Sequence, residues 1–286
     1  MKLGTWRDTR SSPVAIATTA RPVAAIAHRG ASCMAPENTL LAFQLAVEAG
    51  VDGIETDARL TADGEIVLLH DAELSRTTDG QGAVGQRRLA ELRGLDAGYW
   101  FGPHGGGGHT FRGLGLGIPT LDELFRLLDR IAPHITVHIE LKNEPAEVEF
   151  DPSERLAGAV TDWLNDRDLR DRAVVSSFNP TAIERVKARE PRLRTAYLAT
   201  TGADLNAKLA YVVAHNHDAL HPRHDMLAAS APKASLRVLA AARAAGVAVN
   251  VWTVNEPARM RELAELGVDG VMSDNPQRLR ATFDAL

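Results

Sequence analysis

The 286-residue chain has a single cysteine, Cys33. That excludes an internal disulfide framework and a metal site built from cysteines alone. No run approaches the roughly 18 uncharged apolar residues of a membrane span, so no transmembrane segment is expected. Positive charge is not in excess: 32 Lys and Arg against 37 Asp and Glu give 32 − 37 = −5, the wrong sign for a general nucleic-acid binder. No internal repeat is present. The chain is 45% hydrophobic and 24% charged, which are globular values and fit neither disorder nor collagen nor coiled coil. At the N-terminus Lys2, Arg7 and Arg10 precede an apolar run at 13–20, a loose imitation of a secretory signal. The run carries two threonines, lacks leucine and is closed by Arg21. Residues 1–22 are therefore expected to be an N-terminal extension of a cytoplasmic protein, and 23–286 a single domain.

Short β-rich apolar runs alternate with longer helical patterns. Strands are expected at 23–27, 53–57, 136–141, 173–177, 194–198, 219–221, 247–253 and 268–272. Helices are expected at 39–49 (Asn38 as N-cap, Gly50 as stop), 124–131 (Thr120 or Asp122 as cap), 153–165, 181–189, 232–245 and 257–266. Such alternation implies a parallel sheet with right-handed crossovers, and eight units in this length suit a TIM (β/α)8 barrel. A doubly wound open sheet is the alternative. One segment breaks the rhythm. Only five residues, 61–65, separate the strand-like 66–69 from the second strand, too few for a parallel crossover, and Asp63-Gly64 is a hairpin signal. Residues 58–69 are thus expected to form an antiparallel hairpin. From there to Pro119 the chain is irregular and glycine-rich, with glycines at 105–108, 113, 115 and 117. The whole of about 58–118 reads as a small insertion, a hairpin plus a glycine-rich lid without a core of its own.

Function in such a barrel sits where strands end at the C-terminal face. The first strand ends in His28-Arg29-Gly30, followed by Glu37 and Asn38. The second ends in Glu55-Thr56-Asp57, where alternation puts both acids on one side. Glu140 and Lys142 share a face of the third barrel strand, and the hairpin ends in His70-Asp71. Three acids, Glu55, Asp57 and Glu140, converging in one cleft repel one another unless they share a divalent cation. All-oxygen ligation favours a hard ion such as Mg²⁺ or Ca²⁺. The alternative is a salt-bridge network with Arg29 and Lys142. His28 and His70 each follow a strand beside a charged residue and can serve as base and acid around neutral pH; Asp71 is either an orienter or a loop cap. Arg29 and Lys142 can clamp a phosphate or neutralise the acids, and the two roles can coexist. Trp252 either floors the pocket or packs. His221 is a candidate for the cleft, His138 for packing, and the acidic stretch 144–154 for a solvated loop. The seventh and eighth strands bring Asn255 and Ser273-Asp274 to the same end.

These residues fall into an ordered series: Ala27-His28-Arg29-Gly30, Pro36-Glu37-Asn38-Thr39, Gly53-Ile54-Glu55-Thr56-Asp57, Val67-Leu68-Leu69-His70-Asp71, Ile118-Pro119-Thr120-Leu121, Ile139-Glu140-Leu141-Lys142, Ser176-Ser177-Phe178, Val251-Trp252-Thr253-Val254-Asn255 and Gly267-Val268-Asp269-Gly270-Val271. Over about 23–280 the series resembles the glycerophosphodiester phosphodiesterase family. The resemblance implies a TIM barrel with a small insertion after the second strand. It implies metal ligands Glu55, Asp57 and Glu140 for one divalent cation, and catalytic His28 and His70. It also implies substrate contacts from Arg29, Glu37, Lys142 and Trp252. The glycine-rich lid and His221-Pro222 depart from the pattern and bear on the leaving alcohol. The implied reaction is hydrolysis of a small-molecule glycerophosphodiester to sn-glycerol 3-phosphate and an alcohol by His/His acid–base catalysis. The alternatives are a related lyase that releases a cyclic phosphate and a non-catalytic barrel that binds phosphorylated ligands.

Overall fold

The computed structural model describes residues 22–102, 110–227 and 232–286. Nearly all of the expected N-terminal extension, the glycines at 105–108 and the loop histidines His104 and His109 lie outside the described residues.

Nine strands are present among the described residues: β1 (Ala24–His28), β2 (Gly53–Leu60), β3 (Ile66–Leu68), β4 (Thr136–Leu141), β5 (Ala173–Ser177), β6 (Arg194–Ala199), β7 (Ala219–Pro222), β8 (Ala248–Val251) and β9 (Gly270–Ser273). All but β3 pair in parallel, in the order β1-β9-β8-β7-β6-β5-β4-β2, and β1 also pairs with β2. The sheet therefore closes on itself as an eight-stranded barrel, and the open-sheet alternative is excluded. β3 lies outside the ring and runs antiparallel to β2, with Ala58 opposite Leu68 and Leu60 opposite Ile66. This pairing draws β2 three residues past the expected end at Asp57.

The helices that cover the barrel are α1 (Leu40–Glu48), α3 (Leu121–Ile131), α4 (Arg155–Asp166), α5 (Pro180–Arg189), α6 (Leu205–Ala214), α7 (Pro232–Ala244), α8 (Pro257–Leu266) and α9 (Pro276–Asp284), while the single turn α2 (Leu89–Leu92) belongs to the insertion. Their ends follow local chemistry. Thr120 and Glu123 form a reciprocal capping box on α3, Pro180 opens α5 behind the Asn179 cap, and Gly267 in the left-handed region closes α8. The cap of α1 is Thr39, not the expected Asn38: the Thr39 hydroxyl accepts from the Ala42 amide. Asn38 instead sits at φ 57° with its amide spent on β2. Three helices were not foreseen: the single turn α2 in the insertion, α6 and α9.

Alternation along the strands sorts the two sides of the wall. Ile54 and Ala58 of β2 and Val137, Ile139 and Leu141 of β4 face outward into the apolar layer shared with α1, α3 and α4. Their neighbours Glu55, Asp57, His138 and Glu140 face inward. Val174, Ala196 and Ala219 fill the barrel interior lower down, so the floor there is apolar and the C-terminal mouth polar. The insertion does have a small core, a correction to the expectation: Val67, Leu69, Leu74, Val84, Leu92 and Ile118 are buried together. Two 3₁₀ turns, Leu74–Arg76 and Val84–Gln86, supply part of it. No helix among the described residues is long and apolar enough to cross a membrane.

Candidate active site

Register brings the three acids together. Asp57 stands directly across from Glu140, and Glu55 is flanked by His28 of β1 and His138 of β4. One carboxylate oxygen from each of Glu55, Asp57 and Glu140 lies within 4.8 Å of the others. The salt-bridge alternative is realised in part. Arg29 Nε is 3.2 Å from Asp57 Oδ2, the Arg29 amide donates to Glu55 Oε2 at 3.0 Å, and Lys142 Nζ donates to Glu140 Oε1 at 2.6 Å. Asn38 donates to Asp57 Oδ2 at 2.8 Å and accepts from Thr56.

These contacts leave Glu55 Oε1 and Asp57 Oδ1 buried without a hydrogen-bond partner. A buried carboxylate oxygen without a hydrogen bond is costly, because it has left water without a full replacement; Asp57 Oδ1 has only the Lys142 ammonium, 3.6 Å away. Burial, and then the charge on Asp57, push the Glu55 carboxyl up. Burial acts in the same sense on Asp57, but Arg29 and Lys142 outweigh it and hold that carboxyl well below the usual range. With all three ionised, as ligands would be, three carboxylates against two cations leave 2 − 3 = −1, and the raised Glu55 pKa reflects that unneutralised charge. Converging, partly unpaired oxygens with a residual negative charge are the donor set of a hard divalent cation, and these residues fit one.

The two imidazoles are set up alike. His28 Nδ1 is 2.7 Å from Asp274 Oδ1, and Asp274 is held in turn by Ser32 Oγ at 3.1 Å and Asn255 Nδ2 at 2.6 Å. His70 Nδ1 is 2.6 Å from Asp71 Oδ1, and Asp71 pairs with Arg76. A carboxylate at Nδ1 makes that nitrogen the donor and leaves Nε2 free. The surroundings differ in sign. Burial works against the His28 imidazolium, but the bond to Asp274 wins and raises its pKa. Burial lowers that of His70, and Lys142 and Arg29 reinforce this against the pull of Asp57.

Both histidines line a single cavity of about 220 Å³ with Arg29, Glu55, Glu140 and Lys142. Trp252 and Phe178 form one wall, packed edge to face at 5.5 Å. The Trp252 indole donates to the His221 carbonyl at 2.7 Å. His221, completely buried, forms part of the lining and is held neutral by burial. His138 lies deeper, its ring 5.6 Å from that of His221. Glu37 is not part of the lining: its carboxylate is spanned by Arg29 at 3.0 Å and by Arg76 at 2.7 and 3.0 Å. The stretch 144–154 is not merely a solvated loop. Glu144 and Glu147 line the cavity, and buried Glu154 accepts from the amides of Asn143 and Asn179.

Sequence reasoning gave no role to Asp274, Arg59 or Arg76. Strand alternation carries a signal for Arg59, which is two residues beyond Asp57 on the same side of β2. The pairings of Asp274 with His28 and of Arg76 with Glu37 span 246 and 39 residues and have no local signature.

The Glycerophosphoryl diester phosphodiesterase family is matched over residues 28–278. A glycerophosphodiester phosphodiesterase of Caldanaerobacter subterraneus subsp. tengcongensis is 33% identical over 256 residues, covering 89% of this chain and 95% of that protein. One from Bacillus subtilis is 30% identical, covering 88% and 83%. Among solved structures, an Oleispira antarctica phosphodiesterase in complex with the product sn-glycerol-3-phosphate superposes with a TM-score of 0.75 at 30% identity, covering 91% of this chain and 96% of that one.

Proposed function

Because the chain belongs to the glycerophosphoryl diester phosphodiesterase family, we propose that it hydrolyses glycerophosphodiesters to sn-glycerol 3-phosphate and an alcohol, with one divalent cation, Mg²⁺ or Ca²⁺, held by Glu55, Asp57 and Glu140. The observation that carries this reading is that two carboxylate-backed imidazoles line one cavity with Glu55 and Glu140, whose carboxylates gather with that of Asp57 just behind the lining. The similar Oleispira protein was solved with sn-glycerol-3-phosphate, which is the product this reading expects.

When bound, the cation supplies Lewis-acid polarisation of a phosphoryl oxygen and ligation of glycerol hydroxyls. The protein's own groups do the rest. Arg29 and Lys142 present fixed positive charge to the phosphate, and because both already lie against carboxylates they need little reorganisation to do so. His28 and His70, with Nε2 free, take the proton from the attacking oxygen and return one to the departing alkoxide. Asp274 and Asp71 stabilise each imidazole in its charged form. Glu37 holds the Arg29 guanidinium level through the ion pair they share, and Trp252 with Phe178 excludes water on one side.

A coupled assay for glycerol 3-phosphate release across several glycerophosphodiesters tests the proposal, run with and without a chelator. Turnover that is lost in chelator, recovers with Mg²⁺ or Ca²⁺, and vanishes in folded His28→Ala and His70→Ala supports it. Unchanged activity in chelator removes the cation from the reaction, and unchanged activity in both histidine variants removes the acid–base pair.

A further inference from the structure

Arg59 continues the row that Glu55 and Asp57 begin on β2. Its side chain is 4% exposed, a rare state for a guanidinium and one that requires partners. Nε and Nη2 both donate to the His70 carbonyl, at 3.0 and 2.7 Å. Nη1 and Nη2 fork onto the Glu147 carboxylate at 3.0 and 2.7 Å, and Nη1 also reaches the Lys142 carbonyl at 3.5 Å. One buried cation thus ties together β2, the residue that follows the β3 hairpin, and the loop that leaves β4. No backbone donor reaches the His70 carbonyl among the described residues, so Arg59 is what fixes that peptide.

A purely structural role would be to neutralise Glu147 and seal the hairpin. Pairing with Glu147 alone, however, does not require two donors on the main chain of His70. The fork is rigid and planar, so it constrains both the direction and the distance of the His70 peptide. His70 is followed at once by Asp71, whose carboxylate fixes the ring from the other side.

We propose that Arg59 is a positioning residue: through the His70 carbonyl it sets where the His70 imidazole stands relative to Lys142 and the Glu140 end of β4. The inference rests on the proposed role of His70 in turnover. A misplacement of about 1 Å at a proton-transfer group costs on the order of 100-fold in rate.

The test replaces the pair together, Arg59→Met with Glu147→Met, because removing both charges avoids a stranded buried ion. Arg59→Lys keeps the charge but not the fork. In the double variant kcat is expected to fall about 100-fold. The affinity for Mg²⁺ or Ca²⁺ by calorimetry should stay close to that of the parent. KM should change far less than kcat although Glu147 lines the cavity, and the melting temperature should fall modestly because the His70 carbonyl loses its donors. In ¹⁵N-histidine NMR the ring signals of His70 should move while those of His28 stay. Arg59→Lys should remain at least about tenfold below the parent in kcat, since a point charge cannot reproduce two directed bonds. A folded double variant with kcat within threefold of the parent overturns the proposal. So does a fall matched by lost cation affinity, with His28 and His70 signals moving alike. If the double variant does not fold, parental kcat in Arg59→Lys overturns it alone. Full turnover in His70→Ala would defeat the acid–base reading instead, and the NMR comparison would still report whether Arg59 places the ring.

Discussion

Replacing Asp274 with asparagine changes one atom and reverses a hydrogen bond. Asn255 Nδ2 donates to Asp274 Oδ2 at 2.6 Å, so in the variant the amide oxygen must face Asn255. The amide NH₂ then faces His28 Nδ1, now 2.7 Å from a donor instead of an acceptor. His28 must switch tautomer, with Nδ1 accepting and Nε2 carrying the proton. The imidazolium also loses its charged partner. A hydrogen bond to a charged group contributes about 1.5–3 kcal/mol, and at 1.36 kcal/mol per decade its loss corresponds to a fall of roughly 10- to 150-fold in kcat/KM. Overall stability should change less, because Asp274 is about one-third exposed and its neighbours can be re-solvated. The assay is kcat/KM for glycerol 3-phosphate release at saturating divalent cation, with ¹⁵N NMR of the His28 ring as the structural readout. A variant within threefold of the parent, with the His28 ring still protonated at Nδ1, would refute the reasoning.

Other outcomes follow from the same geometry. Divalent cation added to chelated protein should stabilise it by about 2.7 kcal/mol at 100 times Kd, seen as a higher melting temperature that Asp57→Asn no longer shows; identical melting with and without cation would contradict the acidic site. His138 is buried and its pKa is lowered to about 3, so the folded protein stays neutral there while the unfolded chain takes up a proton below pH 6.5. Stability should fall as pH drops from 6.5 to 5, by about 2 kcal/mol for this residue. Urea melts of the parent against His138→Asn would register that difference, because the opposite contribution of His28, whose pKa is raised, is common to both proteins and cancels. Glu144 adds negative charge to the cavity wall. Glu144→Gln should therefore raise kcat/KM for diesters of anionic alcohols relative to cationic ones by about threefold at low salt, and an unchanged ratio would mean the leaving group does not pass this wall.

The convergence of Glu55, Asp57 and Glu140 was legible because two physical signals coincide there: strand alternation puts acids on one side, and the end of a barrel strand is where acids have no apolar neighbours to disturb. The hairpin was legible because five residues cannot span a parallel crossover. α6 was missed because apolar Val213 lies on its exposed face and blurs the helical period. α9 was missed because its buried side is carried by Pro276, Leu279 and Thr282, of which only Leu279 is a large aliphatic side chain. The Asn38 cap was misassigned for a reason only the fold supplies: its amide is worth more inside, bridging Thr56 and Asp57, than at the end of α1. Glu37 and Arg76, and Arg59 and Glu147, illustrate the same limit. Each is an ordinary charged residue locally, and its partner is chosen by which loops the closed barrel makes neighbours.

Closure of the ring through β1 has a temporal consequence. His28 ends the first strand, and the carboxylate that orients it comes from the residue just after the last one. A nascent chain leaving the ribosome carries seven barrel strands and nearly every polar group of the mouth while His28 still lacks its partner. Turnover should thus switch on late and abruptly, once β9 has slotted between β8 and β1, so that a chain cut short before β9 would be inert even if the remainder collapsed.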